Sequence, residues 1–192
     1  MIIGIIDCGG ANLNSIYYSF KRLGINTVIS NSKNELSGLD AYVLPGVGSA
    51  NAVMQCLRDK SLIDFIKNIT KPVLGICIGM QIMYEYSEEG DTQCLGIIDG
   101  KIKKFKSDKS LTVPQMGWNK LVCNDDLKSL NGHYYYANSF YTDSTDSAIG
   151  FTEYGINYTS LVKKNNFIGC QFHPEKSSVN GEKFLQYFLT TT

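Results

Sequence analysis

The sequence predicts an α/β fold, in which an open, doubly wound and mostly parallel sheet is extended by antiparallel strands. Strand-like and helix-like segments alternate through the first half of the chain. In the second half, short strand-like runs follow one another directly, and a single amphipathic segment closes the sequence. Alternating strands and helices are typical of parallel sheets, whereas consecutive strands usually pair in the antiparallel sense.

Hydrophobic periodicity defines the elements of the first half. Apolar residues three and four positions apart predict a helix over 13–23, with Asn12 at its N-cap and Gly24 just beyond its end. Buried strands are expected at 1–7, 26–30, 41–46 and 72–76. Further helices are expected at 50–58, at 61–69 and from Gly79 onward.

The second half predicts a smaller, strand-rich portion. Asp99-Gly100 stands between two arms of alternating apolar residues, which predicts a two-residue β-hairpin over 95–105. More strands are expected at 113–123, 133–141, 158–164 and 167–172, and a helix at 181–190. Because no repeat or linker interrupts the pattern, we expect residues 1–192 to form one domain.

Composition narrows the class of protein. The chain has 192 residues, of which 43% are hydrophobic, and a formal net charge of zero, so nothing favours nucleic acid or an acidic membrane as a partner. No apolar run is long enough to cross a bilayer. The first apolar run lacks a preceding basic segment, so we expect no secretory signal and a cytoplasmic location.

Cysteine and histidine usage argues against disulfides and metals. The six cysteines are scattered, no Cys-x-x-Cys pair occurs, and there are only two histidines. In a chain long enough to bury its own core, this pattern predicts free thiols. No zinc-ligand spacing is present, so we expect neither a metal nor a cofactor.

The segment "KPVLGICIGMQ" places Cys77 where a buried strand ends and a helix begins. Gly75 and Gly79 permit a tight turn, similar to the elbow that presents the nucleophile of α/β-hydrolases. The helix N-terminus favours a thiolate, and the amide of Ile78 is placed to stabilise an oxyanion. The alternative is that Cys77 is a small core residue, as buried cysteines usually are.

The segment "GCQFHPEKS" supplies a matching base, since His173 also follows a predicted strand. Glu175 stands two positions later, close enough to hold the far nitrogen of the imidazole. The alternative is an ordinary surface loop. His133 has no nearby acidic residue, and we interpret it as structural.

The loop "LPGVGSA" follows another predicted strand. The backbone amides of Gly46, Val47 and Gly48 are candidates for a second oxyanion donor, because a glycine-rich loop can turn its N–H groups toward a ligand. The alternative is a simple Pro-Gly turn.

In this order and at these separations, the loop, the cysteine segment and the histidine segment resemble class I (triad-type) glutamine amidotransferases. Within that family, "VPQMGWN" at 113–119 and "DCGGANL" near the start are similar to the HisH glutaminase subunits of imidazole glycerol phosphate synthase. The similarity extends over essentially the whole chain.

The resemblance implies a Cys77–His173–Glu175 triad that hydrolyses glutamine, with Gln81, Ser139 and Phe140 binding the substrate. It also implies a heterodimer in which ammonia passes to a HisF-type (β/α)₈-barrel cyclase for histidine biosynthesis, with release of a purine precursor. The residues that it places toward the cyclase are Asn12, Gln115, Trp118 and Asn138.

Three alternatives stay open at the level of sequence. The family usually has histidine where this chain has Gln115 and Asn138, glycine where it has Ala11 and tyrosine where it has Phe140. A paralogous glutaminase that supplies ammonia to a sugar amidotransferase for surface polysaccharides would fit such departures. A cysteine hydrolase of the DJ-1/PfpI type and a non-catalytic binding subunit are the other two.

Overall fold

The computed structural model describes residues 1–9, 12–46, 48–107, 111–143 and 145–191. Within these ranges the chain forms thirteen strands in one sheet. The strands are β1 (Ile2–Ile6), β2 (Asn26–Ser30), β3 (Ala41–Leu44), β4 (Val73–Ile76), β5 (Tyr86–Ser87), β6 (Thr92–Gln93), β7 (Lys101–Lys104), β8 (Gln115–Cys123), β9 (Gly132–Asn138), β10 (Phe140–Thr142), β11 (Ala148–Tyr154), β12 (Ile156–Lys164) and β13 (Phe167–Cys170).

The parallel half has the order β2-β1-β3-β4-β13. This is the doubly wound order of flavodoxin-like sheets, and it confirms the predicted fold class. β3 and β4 are buried along their whole length, as expected for parallel strands covered on both faces.

Six helices accompany the sheet in the described ranges. They are α1 (Leu13–Arg22), α2 (Lys33–Leu36), α3 (Ala50–Asp59), α4 (Ile63–Lys67), α5 (Ile78–Gln81) and α6 (Ser178–Thr190). Short 3₁₀ turns occur at Asp125–Leu130 and Pro174–Lys176. The sequence did not predict α2, and α5 is a single turn. No helix of the described ranges is long and apolar enough to cross a membrane.

The antiparallel portion extends the sheet from β13. β12 pairs with β13, β11 with β12, β8 with β11 and β9 with β8, all antiparallel. β10 lies between β12 and β7, and β5 pairs with β7 in the parallel sense. The antiparallel extension is therefore confirmed, although the sequence did not predict β11.

The hairpin predicted at Asp99-Gly100 is wrong. β7 pairs with β10 and β5, and the arm before it is not a strand. Leu95 and Ile98 are fully buried, and their backbone N–H groups bond to the carbonyls of Ile82 and Met83. The alternation of apolar residues thus reflects packing of an irregular segment against the residues that follow α5.

The single strand predicted over 133–141 is divided in two at Ser139. β9 pairs with β8 on one side of this residue, and β10 pairs with β7 and β12 on the other. The chain therefore changes its pairing partner at Ser139, so that Asn138 is the last residue of β9 and Phe140 is the first residue of β10.

The core contains aromatic side chains from both halves of the sheet. Tyr134 and Tyr136 of β9 are fully buried, and their rings contact Phe172, which in turn contacts Phe184 of α6. All six cysteines are free, as predicted.

Four segments that the sequence singled out follow the carboxyl ends of neighbouring parallel strands. Asn12 follows β1, Gly46 follows β3, Cys77 follows β4 and His173 follows β13. Open α/β sheets bind their ligands at this edge. The topology therefore brings residues from distant parts of the chain to one place.

Candidate active site

Cys77 occupies a sharp turn between β4 and α5. Its φ of 54° and ψ of −111° are unusual for a residue with a side chain, and such a conformation costs roughly 1–3 kcal/mol. The amide of Cys77 donates to the carbonyl oxygen of Cys170 on β13 over 2.8 Å. The predicted elbow is therefore present, and this hydrogen bond to the sheet holds Cys77 in place.

The glycines around the elbow are required by close backbone packing. A Cβ atom on Gly79 would lie 1.8 Å from the carbonyl oxygen of Leu44, and a Cβ on Gly46 would lie 2.2 Å from the amide nitrogen of Gly79. The loop after β3 is therefore in direct contact with the start of α5. Gly46 and Gly48 line the same cavity as Cys77 and Ile78, whereas Val47 lies outside the described residues.

His173 lies beside the cysteine at the end of β13. Its side chain lines the same cavity as Cys77 and interacts with it electrostatically, and its Nδ1 lies 2.8 Å from Oε1 of Glu175. Its backbone N–H donates to the carbonyl of Tyr135 over 2.8 Å. The three side chains predicted to act together are thus adjacent, and all are buried.

The surroundings of His173 act on its pKa in opposite directions. Burial by itself lowers the pKa of the imidazolium, but Cys77 and Glu175 favour the protonated ring and more than offset burial. The net effect raises the pKa of His173 to about 10. The arrangement therefore favours an imidazolium paired with negative charge on either side.

Asn12 is the second partner of the carboxylate. It occupies the N-cap position of α1 as predicted, but its side chain makes no capping bond. Its Nδ2 donates instead to Oε1 of Glu175 over 3.0 Å. In this structure Asn12, which the resemblance placed toward the cyclase, contacts the triad of its own chain.

The side chains of Cys77 and His173 line a cavity of about 270 Å³. Its lining includes Gln81, Ser139 and Phe140, the three predicted substrate-binding residues. It also includes Glu89, which the sequence analysis missed because no motif surrounds it. Oε2 of Glu89 accepts a hydrogen bond from Ala50 N over 2.7 Å, and burial raises the pKa of this carboxyl group.

Gln171 is another residue that the sequence analysis quoted without assigning a role. Its Nε2 lies 3.6 Å from Sγ of Cys77, and its Oε1 accepts a hydrogen bond from Nε2 of Gln81 over 2.9 Å. Oε1 of Gln81 is buried without a hydrogen-bond partner. Only the position of Gln171 directly after β13 indicated its proximity to the elbow.

Gln115 and Asn138, which the resemblance placed toward the cyclase, are buried in this structure. Their exposed fractions are only 2% and 4%, and they face each other across β8 and β9. Tyr158 donates to Gln115, and Asn138 donates to the carbonyl oxygen of Phe140. Burial prevents both from touching a partner directly in this conformation. Trp118 is 54% exposed on β8.

These groups form a complete set for covalent catalysis on a small amide. The Cys77 thiol and the His173 imidazole line one cavity, and Glu175 bonds to the imidazole, an arrangement suited to nucleophilic catalysis. Ile78 at the start of α5 and Gly46 and Gly48 of the loop after β3 line the same cavity, and their backbone amides are candidate oxyanion donors. Glu89 adds an acidic group that suits a substrate with an ammonium end.

Comparison with known proteins identifies the family of this chain. The family model described as glutamine amidotransferase class-I matches residues 4–191. The chain is 44% identical to "Imidazole glycerol phosphate synthase subunit HisH" of Haemophilus influenzae, with 97% of this chain and 96% of the relative covered. It is 43% identical to "Imidazole glycerol phosphate synthase subunit HisH 2" of Campylobacter jejuni, with 98% of each covered.

Solved structures agree on the fold. A crystal structure described as a glutamine amidotransferase superimposes with a TM-score of 0.79 at 18% sequence identity, covering 100% of this chain and 98% of the other. At that identity the likeness concerns the fold alone. The family match and the curated relatives favour the predicted glutaminase over a DJ-1/PfpI-type hydrolase.

Proposed function

Because this chain belongs to the class-I glutamine amidotransferase family, we propose that it is the glutaminase subunit of an imidazole glycerol phosphate synthase. In this role it hydrolyses glutamine to glutamate and passes ammonia to a HisF-type barrel cyclase. The observation that carries the proposal is that Cys77 and the His173 imidazole line one cavity, while Oε1 of Glu175 lies 2.8 Å from Nδ1 of that imidazole.

The first chemical stage is formation of a thioester. The Cys77 thiolate attacks the side-chain amide carbon of glutamine while His173 carries the proton. The oxyanion accepts hydrogen bonds from Ile78 N–H and from an amide of the 46–48 loop. Collapse of this intermediate breaks the carbon–nitrogen bond, and His173 delivers its proton to the departing ammonia. The raised pKa of His173 favours the thiolate–imidazolium pair from which this stage begins.

The second stage returns the enzyme to its starting state. Water attacks the thioester carbon, and neutral His173 accepts a proton from that water. The tetrahedral intermediate then expels the Cys77 thiolate and releases glutamate. Glu175 stabilises the imidazolium in both stages, and Asn12 fixes the carboxylate in position.

The cavity suits the amino-acid end of glutamine. Glu89 offers a carboxylate to the α-ammonium group, and Gln81 lines the same cavity. Ser139 and Phe140 also line it, where the chain passes from β9 to β10. We assign the glutamine site to this cavity.

The cyclase is expected to bind beside the exposed apolar side chains of β8. Met116 and Trp118 lie on one face of this strand and are 64% and 54% exposed, an unusual degree for large apolar residues. Gln115 and Asn138 lie beneath that surface and act indirectly by supporting it. A rearrangement of the 46–48 loop on binding would supply the second oxyanion donor, which is worth about 10²–10³ in rate.

A second candidate keeps the glutaminase chemistry and changes the acceptor. Gln115 and Asn138 depart from the usual pattern of the family that the chain resembles. These departures would fit a paralogue that supplies ammonia to a sugar amidotransferase.

Measurement of glutamate release distinguishes the two candidates. The purified chain is mixed with a barrel cyclase or with a sugar amidotransferase from the same source, each with and without its phosphorylated or sugar acceptor. We expect release to rise at least tenfold with the cyclase and its ligand, and to vanish in Cys77→Ser. Stimulation by the sugar enzyme alone would contradict the synthase assignment, and release that survives Cys77→Ser would contradict the mechanism.

A further inference from the structure

A chain of hydrogen bonds connects the Cys77 sulfur with the cavity wall through two buried amides. Nε2 of Gln171 lies 3.6 Å from the sulfur, and Oε1 of Gln171 accepts from Nε2 of Gln81 over 2.9 Å. The same nitrogen of Gln81 also donates to the carbonyl oxygen of Phe140 over 3.4 Å. Gln171 and Gln81 are 1% and 2% exposed.

The partners determine the orientation of each amide. A backbone carbonyl such as that of Phe140 only accepts hydrogen bonds, so the amide nitrogen of Gln81 must face it. The second hydrogen of this nitrogen requires an acceptor, which is the oxygen of Gln171. The NH₂ group of Gln171 is therefore left facing the sulfur of Cys77.

The backbone also holds Gln171 in place. Its N–H donates to the carbonyl of Ser160 on β12, and the carbonyl of the preceding residue, Cys170, accepts from Cys77 N. The side chain is thus fixed at its base by the sheet and at its tip by Gln81. A donor fixed in this way loses little conformational freedom when the sulfur becomes an anion.

We propose that Gln171 is a positioning residue, whose side-chain N–H group holds the Cys77 sulfur as a thiolate aimed at the substrate amide. This inference rests on the proposed glutaminase function. An N–H donor stabilises an anionic sulfur more strongly than a neutral thiol, because hydrogen bonds to charged groups are the stronger ones. His173 provides the positive charge, and Gln171 provides a neutral donor that fixes direction.

Two variants of Gln171 and one matched control test the proposal. Gln171→Met keeps the length of the side chain and removes the donor. Gln171→Glu keeps the acceptor for Gln81 and places a carboxylate beside the sulfur. Thr152→Val is the control, because Thr152 is also 1% exposed and hydrogen-bonded, but its partners are Tyr136 and Ser160.

The decisive measurement is the rate of alkylation of Cys77 by iodoacetamide as a function of pH. Mass spectrometry of the peptide that contains Cys77 separates this reaction from those of the other five cysteines. Steady-state kcat and KM for glutamine are measured on the same preparations. Near-ultraviolet circular dichroism establishes that each variant is folded.

We expect Gln171→Met to move the alkylation profile to higher pH and to lower kcat/KM about 10- to 100-fold, chiefly through kcat. Gln171→Glu should be affected more strongly, and Thr152→Val should match the wild type. An alkylation profile of Gln171→Met that matches the wild type would overturn the proposal. A shift of the alkylation profile in Thr152→Val as large as that in Gln171→Met would also overturn it. A wild-type protein without glutaminase activity even with saturating cyclase and its ligand would refute the proposed function instead, while the alkylation profiles would still decide the role of Gln171.

Discussion

The side chain of Asn12 donates a hydrogen bond to Oε1 of Glu175 over 3.0 Å, although the two residues are 163 positions apart. The same oxygen faces Nδ1 of His173, so one carboxylate oxygen joins the segment after β1 to the catalytic imidazole. Oε2 of Glu175 is buried without a hydrogen-bond partner. The position of the carboxylate therefore depends on Asn12 as well as on His173.

Replacement of Asn12 should weaken catalysis without removing any member of the triad. A hydrogen bond to a charged group contributes about 1.5–3 kcal/mol, so Asn12→Ala should lower kcat/KM for glutamine roughly tenfold or more. Asn12→Asp should be worse, because it places a second carboxylate beside Glu175. Steady-state kinetics with saturating partner and ligand measure both effects.

Asn14→Ala is the matched control for Asn12, since Asn14 is exposed on the same helix. It should retain the wild-type kcat/KM. Equal activity of Asn12→Ala and Asn14→Ala would show that the bond to Glu175 does not contribute to catalysis.

Glu89→Gln should raise the KM for glutamine about tenfold or more and change kcat little. The substitution keeps the shape of the side chain but removes the charge that faces the substrate ammonium. Because burial raises the pKa of Glu89, this group becomes protonated at a higher pH than an ordinary carboxyl group. As pH falls, the affinity of the wild type for glutamine should therefore begin to weaken at a correspondingly higher pH.

The neighbouring Glu88 provides the control for this prediction. Glu88 also accepts a backbone N–H bond, from Lys104, but it is exposed and is absent from the cavity lining. Glu88→Gln should therefore leave KM unchanged. A larger rise in KM for Glu88→Gln than for Glu89→Gln would contradict the assignment of the ammonium site.

The contribution of His173 to stability should fall as pH rises. Its folded-state pKa of about 10 lies above the ordinary value of 6.5, so folding takes up protons between these two values. The stabilisation is complete below about pH 6.5 and is lost as pH approaches about 10. Urea unfolding of the wild type and of His173→Gln should show a difference in unfolding free energy that shrinks over this range. A difference in unfolding free energy that grows as pH rises would contradict this prediction.

Gly79→Ala should destabilise the fold by about 3 kcal/mol or more, because the new methyl group would meet the backbone oxygen of Leu44 at 1.8 Å. Gly132→Ala is the comparison, since its methyl group meets only the side-chain end of Asn180, which can move at the cost of one hydrogen bond to the His133 carbonyl oxygen. Thermal unfolding of both variants tests this. A Tm for Gly79→Ala equal to that of Gly132→Ala would disprove the close packing of the elbow.

The sequence by itself determined the features that depend on local backbone requirements. The alternation of strands and helices follows from hydrophobic periodicity, and the glycines beside Cys77 are needed wherever two backbones approach so closely. Cys77 and His173 were likewise singled out from the sequence, because each follows a strand that the pattern predicts. Parallel strands then place their carboxyl ends together, so the common location of these residues was also predictable.

Only the tertiary structure decided the contacts that join separate segments. The bond from Asn12 to Glu175, the position of Glu89 in the cavity and the burial of Gln115 have no local signature in the sequence. The mistaken hairpin at Asp99-Gly100 has the same origin, since alternating apolar residues fit either a paired strand or an irregular segment packed on the core. Periodicity reports which side chains are buried, whereas the partner of a buried polar group is determined by how distant elements pack.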